Sequence, residues 1–500
     1  MNERKIGIIL SYFNIILQVL IGFIYVPILL KYIGQSEYGL YQLMGSIVAY
    51  FGIMDFGLTT STIRGYIKYK TNGEIKRTEN FLAITQRLYF FICVLMLIIG
   101  SVVYNYLDDI FINSLTMNEL LEAKNIFILL IFNIIITFLG MIYRSIIIAN
   151  EKFLFFKTLE VLQLIAQPFI VIAIIQIWPV ALAIVVVMTI LNIIMTIFRV
   201  YYCYNKLSLK INYYNWDKEA INEMKKLSIS VFVVAIIDQI FWKSNQIILG
   251  VISGVNAVAI YSIASLIYMN YMALSTAITG IYSPKIMKMV SENVNLRDLS
   301  KEFLRIGRLQ YYVLALILSG FFVFGRDFII IWCNDNFIDA YYITLIIIIP
   351  FTIDLIQNIG AIIMKAKNIY GFRAKVYFII GIINICLSIP LAKIYGEIGC
   401  AVACGLSILI SNVVMNIYFK RVLFLDIILF WKQILKITIN VFICIMIGLT
   451  INYFFEDGGL VVLIIKLLVF SMSYFFIMWK LSFNYDEKLL IFKLRSKIIR

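Results

Sequence analysis

Apolar segments of about 20 residues or more recur along the whole sequence, separated by short polar breaks. About 20 predominantly apolar residues are what an α-helix needs to cross the hydrocarbon core of a bilayer. Fourteen segments meet that length: 6–30, 38–63, 80–105, 125–148, 154–177, 180–203, 226–250, 256–282, 306–330, 339–363, 373–394, 397–419, 428–453 and 459–481. The alternating strands of about ten residues that mark a membrane β-barrel do not occur. With 62% hydrophobic residues, 14% charged residues and a mean hydropathy of +0.95, the chain carries more apolar surface than a water-soluble core uses. The expected fold is an all-α integral membrane protein of about 14 transmembrane helices. The first segment follows Arg4-Lys5, but it is too long for a signal-peptide core and no A-x-A-like site follows it. It is therefore expected to be retained as a helix.

Positive charge sets the expected orientation, because Lys and Arg accumulate on the cytoplasmic side. With the N-terminus inside, and basic residues near segment ends counted with the adjoining side, the cytoplasmic side holds 36 Lys and Arg, and the opposite side holds four: Lys31, Lys124, Arg326 and Lys393. Arg87, Lys243 and Lys466 lie deeper within segments and are counted with neither side. Losing one helix from the count would move every later loop to the other side and destroy this asymmetry, so both termini are expected in the cytoplasm. The external connections lean acidic, with Asp108-Asp109, Glu119, Glu122, Asp335, Asp339 and Glu456-Asp457.

The net charge of +15 is mainly this topology signal. The basic residues are dispersed, which argues against nucleic acid and leaves membrane lipids as the anionic partner of the cytoplasmic face. The seven cysteines have no zinc spacing and fall mostly within segments, as packing residues do. There is no histidine, which removes His-ligated metals, Ser-His triads and histidine proton shuttles. No GxxxxGK[ST] loop is present, so ATP hydrolysis is not expected. Neither a metal nor an organic cofactor is implied, and any coupling to H⁺ or Na⁺ has to rest on carboxylates.

The sequence is internally repeated. YGLYQLMGSIVAYFGIMDFGLTTSTIRGY from Tyr38 aligns with VAIYSIASLIYMNYMALSTAITGIYSPKI from Val258, at an offset of about 220 residues, and ENFLAITQRLYFF aligns with KEFLRIGRLQYYV, pairing Arg87 with Arg308. Six helices per copy imply a duplication about an axis along the membrane normal. The expected organisation is an N-terminal six-helix lobe (1–204), a cytoplasmic linker (205–225), a C-terminal six-helix lobe (226–421), and an extra helix pair with a basic tail (422–500).

The plan of twelve helices plus two, together with PILLKYIGQSEYGLYQL at Pro27–Leu43, IMDFGLTTSTIRGY at Ile53–Tyr66 and AIYSIASL at Ala259–Leu266, resembles the polysaccharide flippases of O-antigen and capsule type. These belong to the multidrug/oligosaccharidyl-lipid/polysaccharide exporter superfamily. The resemblance implies two six-helix lobes around a central cavity with basic residues. Through that cavity an undecaprenyl-pyrophosphate-linked oligosaccharide, an O-antigen or capsule repeat unit, passes from the cytoplasmic to the outer leaflet of a bacterial plasma membrane by alternating access. It also implies polysaccharide polymerase and chain-length machinery as partners.

Within that plan, the stretch VVAIIDQIFWKSNQIILGV at Val233–Val251 places Asp238 and Lys243 inside a spanning segment. At 100° per residue, Trp242, Gln246 and Lys243 fall within about 140° of Asp238, on one face. A charge near the bilayer centre costs about 2.5–3.5 kcal/mol on insertion scales, so both must face protein or water. Five residues is a poor spacing for a direct pair on one helix, so partners on other helices are expected. Lys243, Arg87, Arg64, Trp242 and Gln246 are the candidate contacts for pyrophosphate and sugar. Asp238, Asp55, Asp354, Glu160, Gln18 and Asn14 are the candidates for ion coupling or for a polar cavity. A purely structural contact between helices is the competing explanation for these residues, and for Arg64 near a helix end it is positive-inside anchoring. Pro27, Pro168, Pro350 and Pro390 are expected bending points, whereas Lys466 has no explanation in the sequence. Two other functions fit the class: a cation-coupled multidrug antiporter, whose cavity would be acidic and aromatic, and a membrane polysaccharide polymerase or acyltransferase. The absence of histidine and of a large external loop weighs against an enzyme.

Overall fold

The computed structural model describes residues 3–455, 458–485 and 487–489. The acidic pair Glu456-Asp457 and the basic tail beyond residue 489 lie outside the described residues. No strand occurs among the described residues. In lipid an unpaired peptide group costs several kcal/mol, and a helix pairs its own.

The chain divides into two compact units, Met1–Ser262 and Ile263–Arg500. In the first, α1 (Glu3–Ala49) leads into a 3-10 turn (Tyr50–Asp55) and α2 (Leu58–Thr71). There follow α3 (Ile75–Phe111), α4 (Met117–Ala149), α5 (Phe153–Ile175), α6 (Ala181–Asn205) and α7 (Lys218–Ile252). The boundary falls inside α8 (Val255–Ser291). The second unit holds α9 (Leu296–Cys333), a 3-10 turn (Asp335–Phe337), α10 (Asp339–Leu355), α11 (Asn358–Ala366), α12 (Gly371–Arg421), α13 (Ile427–Phe454) and α14 (Gly459–Leu481).

Among the described residues, twelve helical stretches are long and apolar enough to cross a membrane, against fourteen segments in the sequence. Two of the stretches each hold two segments on either side of a kink, at Gly34 (φ 80, ψ 177) and at Gly396 (φ 57, ψ −136). A left-handed φ costs glycine little because it has no Cβ.

Two spans expected to be continuous are broken. The helix predicted over 38–63 ends at Ala49, tightens into the 3-10 turn, and restarts at Leu58 after Phe56 (φ 49) and Gly57 (φ 73). The helix predicted over 339–363 stops at Leu355 and resumes at Asn358. Side chains compensate for these breaks, as backbone irregularity at depth requires. At the first, Asp55 Oδ1 accepts from the Thr59 amide and hydroxyl at 3.3 and 2.9 Å. Near the second, Asn412 donates to the Pro350 carbonyl at 2.8 Å, and Gln357 and Asn416 exchange amide hydrogen bonds at 2.8 and 3.2 Å.

Amides and hydroxyls also join helices elsewhere. On α4 and α6, Asn133 donates to Thr189 at 3.1 Å and Asn192 donates to Thr137 at 2.7 Å. Such bonds average about 0.6 kcal/mol each in membranes, so close apolar packing carries most of the association. Around them Phe127, Phe138, Ile146 and Val185 are fully buried.

Candidate functional site

The polar stretch of α7 separates into a buried part and an accessible part. Ser244, Asn245 and Gln246 are buried, and hydroxyls of the same unit satisfy them. The Ser244 and Tyr50 hydroxyls share a hydrogen bond of 2.8 Å, Asn245 donates to Tyr261 at 2.8 Å, and Gln246 donates to Ser262 at 3.0 Å. The remaining Gln246 oxygen accepts from the Lys243 ammonium at 3.4 Å. Gln246 is thus engaged at both ends and holds Lys243 in place. Lys243 is half-buried and has no carboxylate partner among the described residues. The direct Asp238–Lys243 pair that the spacing disfavoured is not formed. Asp238 is exposed, and Trp242 is half-buried with its ring edge-on to Phe241 at 4.8 Å.

Two more of the predicted residues meet elsewhere in the first unit. Asn14 on α1 approaches Glu160 on α5, with Nδ2 to Oε2 at 3.5 Å. Glu160 also pairs with Lys157 at 2.7 Å and with Arg144 of α4 at 3.6 Å. Gln18 and Arg64 are exposed, on α1 and α2 respectively. Asp55 is held by Thr59 and by the Tyr89 hydroxyl at 3.0 Å, so it stabilises the break between α1 and α2.

Arg87 is exposed on α3 and lays its guanidinium over the ring of Tyr213, 3.4 Å from the centroid. Tyr213 belongs to residues 206–217, the non-helical part of the expected linker 205–225, whose remainder opens α7, and α3 fastens residues 212–217. Asn80 donates to the Asn215 carbonyl at 2.9 Å and accepts from the Tyr214 amide at 2.8 Å, while Arg77 grips Asp217 at 2.9 Å. Burial alone would raise the Asp217 carboxyl, but the Ala220 amide and the Arg77 guanidinium together outweigh it and hold the group below its ordinary value. The Tyr214 hydroxyl donates to Glu79 at 2.8 Å, which raises its own value.

In the second unit, Asp354 at the end of α10 meets Arg373 of α12 at 3.3 Å and accepts from the Tyr377 hydroxyl at 2.8 Å; the Asp354 and Arg373 side chains are 12% and 10% exposed. Arg308, the repeat counterpart of Arg87, is buried in a two-point pair with Glu487 at 2.7 and 2.9 Å. In both copies, then, this arginine secures chain that follows the spanning helices. Lys466 also gains an explanation: it is buried, donates to Asn452 of α13 at 2.8 Å, and lies 3.8 Å from Asp327 of α9.

Sequence reasoning missed Arg199, Arg373 and Tyr377 as interior residues. It counted both arginines with the cytoplasmic side, although they fall within the segments 180–203 and 373–394 and the i, i+4 spacing of Arg373 and Tyr377 marks one helical face.

The arrangement is a bundle of membrane helices carrying fixed charges at depth, with no cluster of metal-ligating side chains among the described residues. Comparison with known proteins gives the same class. The fold is similar to a lipid II flippase MurJ in an inward closed conformation, with a TM-score of 0.72 at 16% identity, over 94% of this chain and 99% of that one. It is also similar to an inward-facing multidrug resistance MATE family transporter of the MOP superfamily (TM-score 0.60, 12% identity, 80% and 96% covered). A further likeness is to a MOP superfamily transporter from Pyrococcus furiosus (TM-score 0.56, 10% identity, 85% and 96% covered). At such identities these likenesses establish a shared fold. No curated protein matches the sequence. The profile of the polysaccharide biosynthesis protein family matches residues 5–289, more than half of the chain. This multi-pass membrane protein therefore belongs to the polysaccharide biosynthesis protein family.

Proposed function

We propose that this chain is a flippase that carries an undecaprenyl-pyrophosphate-linked oligosaccharide, an O-antigen or capsule repeat unit, from the cytoplasmic to the outer leaflet of a bacterial plasma membrane. It works by alternating access of its two helical lobes, has both termini in the cytoplasm, and draws on an H⁺ or Na⁺ gradient through Asp238. It is a transporter and not an enzyme. Family membership and the MOP fold support the class, and the observation that carries the substrate is Lys243. Its ammonium lies well within a spanning helix, and among the described residues it is held by a neutral amide oxygen with no carboxylate to neutralise it. A fixed cation at depth calls for an anion or water, and the diphosphate of a lipid-linked glycan is a concentrated anion that hydrocarbon cannot carry. The exposed Asp238 and the half-buried Trp242 on the same helix add a titratable group and an aromatic surface for sugar.

The test uses proteoliposomes containing a fluorescent polyprenyl-diphosphate oligosaccharide, in which transfer between leaflets is followed by a membrane-impermeant quencher. The wild type is expected to accelerate transfer, Lys243→Ala to abolish it at equal protein content, and Lys243→Arg to keep part of it. Full transfer in the alanine variant, or gradient-driven efflux of a cationic dye in place of glycan transfer, rejects the assignment.

A further inference from the structure

Four helices of the first unit converge on a second charged site, away from α7. Arg144 lies five residues before the end of α4, Arg199 six before the end of α6, and Lys157 and Glu160 four and seven after the start of α5. At 1.5 Å per residue these positions lie about 6–10 Å inside the helix ends, at one level. They share the face that the charge asymmetry assigns to the cytoplasm. Asn14 of α1 reaches the same carboxylate.

The charges here do not balance. Lys157 and Arg144 pair with Glu160, and Arg199 lies within electrostatic reach of both Arg144 and Glu160, so three cations share one carboxylate. The buried Arg199 Nε has no hydrogen-bond partner among the described residues. A guanidinium that served only to mark the cytoplasmic side would extend toward the headgroups with its donors in water. The Arg199 Nε is instead buried without a hydrogen-bond partner among the described residues, and Arg144 lies close enough to repel its charge, an arrangement that costs energy unless an anion joins it. Phe156 closes the floor, with the Arg144 and Lys157 cations 5.2 and 5.4 Å from its ring centroid.

We propose that Arg144, Lys157 and Arg199 form a binding site for a dianionic phosphate group. Glu160 is its counter-charge, spacing the cations while the site is empty, and the two arginines supply planar donor pairs matched to phosphate oxygens. A net charge of about two positive units selects a diphosphate over the single charge of a bilayer phosphodiester. Naming the headgroup of the lipid-linked glycan as the bearer of that diphosphate rests on the transport reading above; the binding chemistry itself does not. In that setting the site is where the headgroup is first held on the cytoplasmic side, before it reaches Lys243.

The experiment measures binding of inorganic pyrophosphate to the full-length protein in nanodiscs of phosphatidylcholine, by calorimetry and by the rise in unfolding temperature. A parallel arm replaces part of the lipid by phosphatidylglycerol without pyrophosphate. Saturable binding is expected in the wild type, weakened about tenfold or more in Arg199→Gln, largely kept in Arg199→Lys, and tightened in Glu160→Gln. The last result separates a ligand site from a structural ion-pair network, in which removing the carboxylate brings only loss. Absence of binding, equal binding in Arg199→Gln, or stabilisation by phosphatidylglycerol alone overturns the proposal. Transport of glycan without pyrophosphate binding defeats this inference and leaves the flippase reading standing. Pyrophosphate binding without glycan transport does the reverse.

Discussion

Charged side chains in membrane helices either neutralise one another or wait for something that will, and this chain contains both kinds. Asp354, Arg373 and Tyr377 form a closed set, nearly buried and mutually satisfied. Removing one partner of a buried pair leaves an uncompensated charge, so Asp354→Asn is expected to cost about 3 kcal/mol or more and to lower the unfolding temperature in detergent. The double variant Asp354→Asn, Arg373→Gln should recover part of that loss, whereas independent, additive losses would mean the pair is not coupled. Lys243 is of the other kind, held by an amide oxygen with no carboxylate partner among the described residues, and Asp238 lies exposed on the same helix. If it couples transport to a cation, Asp238→Asn should flatten the dependence of glycan export on the proton or sodium gradient; an unchanged dependence removes it from the mechanism. The sequence marks Asp238, Lys243, Asp354 and Glu160 as conspicuous because each interrupts an apolar run. It does not reveal that Gln246 positions Lys243, or that Arg87 stacks on Tyr213, because those relations are made between helices.

Hydropathy locates helical elements well and says little about their interiors. The twelve long helical stretches accommodate the fourteen segments, since Gly34 and Gly396 each kink a stretch between two segments. The breaks at 50–57 and 356–357 carry polar residues, Asp55 in the first and Gln357 between Asp354 and Asn358 in the second, but averaged over a span of about 20 residues the hydropathy passes over them; Gly57, left-handed in the structure, is a local sign of the first. The corner at Gly396 is tight. A Cβ on Gly399 would lie 2.0 Å from the Leu391 carbonyl oxygen, whereas one on Gly45 would meet nothing within 4 Å. Gly399→Ala should therefore destabilise by about 1–3 kcal/mol and reduce the amount of folded protein in the membrane. Gly45→Ala should be close to neutral by the same unfolding measurement, and equal behaviour of the two variants would contradict the geometry at the corner. Residues 206–217, the non-helical part of the linker expected over 205–225, are a strap docked on α3. Since the folded state holds Asp217 below its ordinary value, its contribution is complete above the unfolded value of about 3.9 and is lost as pH falls through the lower folded value. Hydrogen exchange should show the wild-type strap protected at neutral pH and released only in strong acid. Asp217→Asn should be less protected even at neutral pH; wild-type protection in that variant would show that Arg77 is not what holds the strap.

For the whole molecule, the class was written in the repeated apolar segments, and the fold and family agree with it. The six-plus-six-plus-two organisation and the cytoplasmic placement of both termini are expectations of the sequence, drawn from the internal repeat and the 36-to-4 distribution of basic residues. The two compact units describe where packing is densest and are a separate matter from that kinship. The glycan itself is not legible, because sugar recognition rests on a few polar and aromatic contacts while hydrophobicity dominates every spanning helix. What the account needs above all is that this protein moves a lipid-linked oligosaccharide between leaflets, with Lys243 meeting its diphosphate. The most direct measurement is the leaflet location of that intermediate in cells lacking the protein, restored with either wild type or Lys243→Ala at equal abundance. The account predicts intermediate trapped in the cytoplasmic leaflet of the deletion strain and of the alanine variant, and delivered outward by the wild type. Intermediate in the outer leaflet without the protein, or normal delivery by Lys243→Ala, would contradict it.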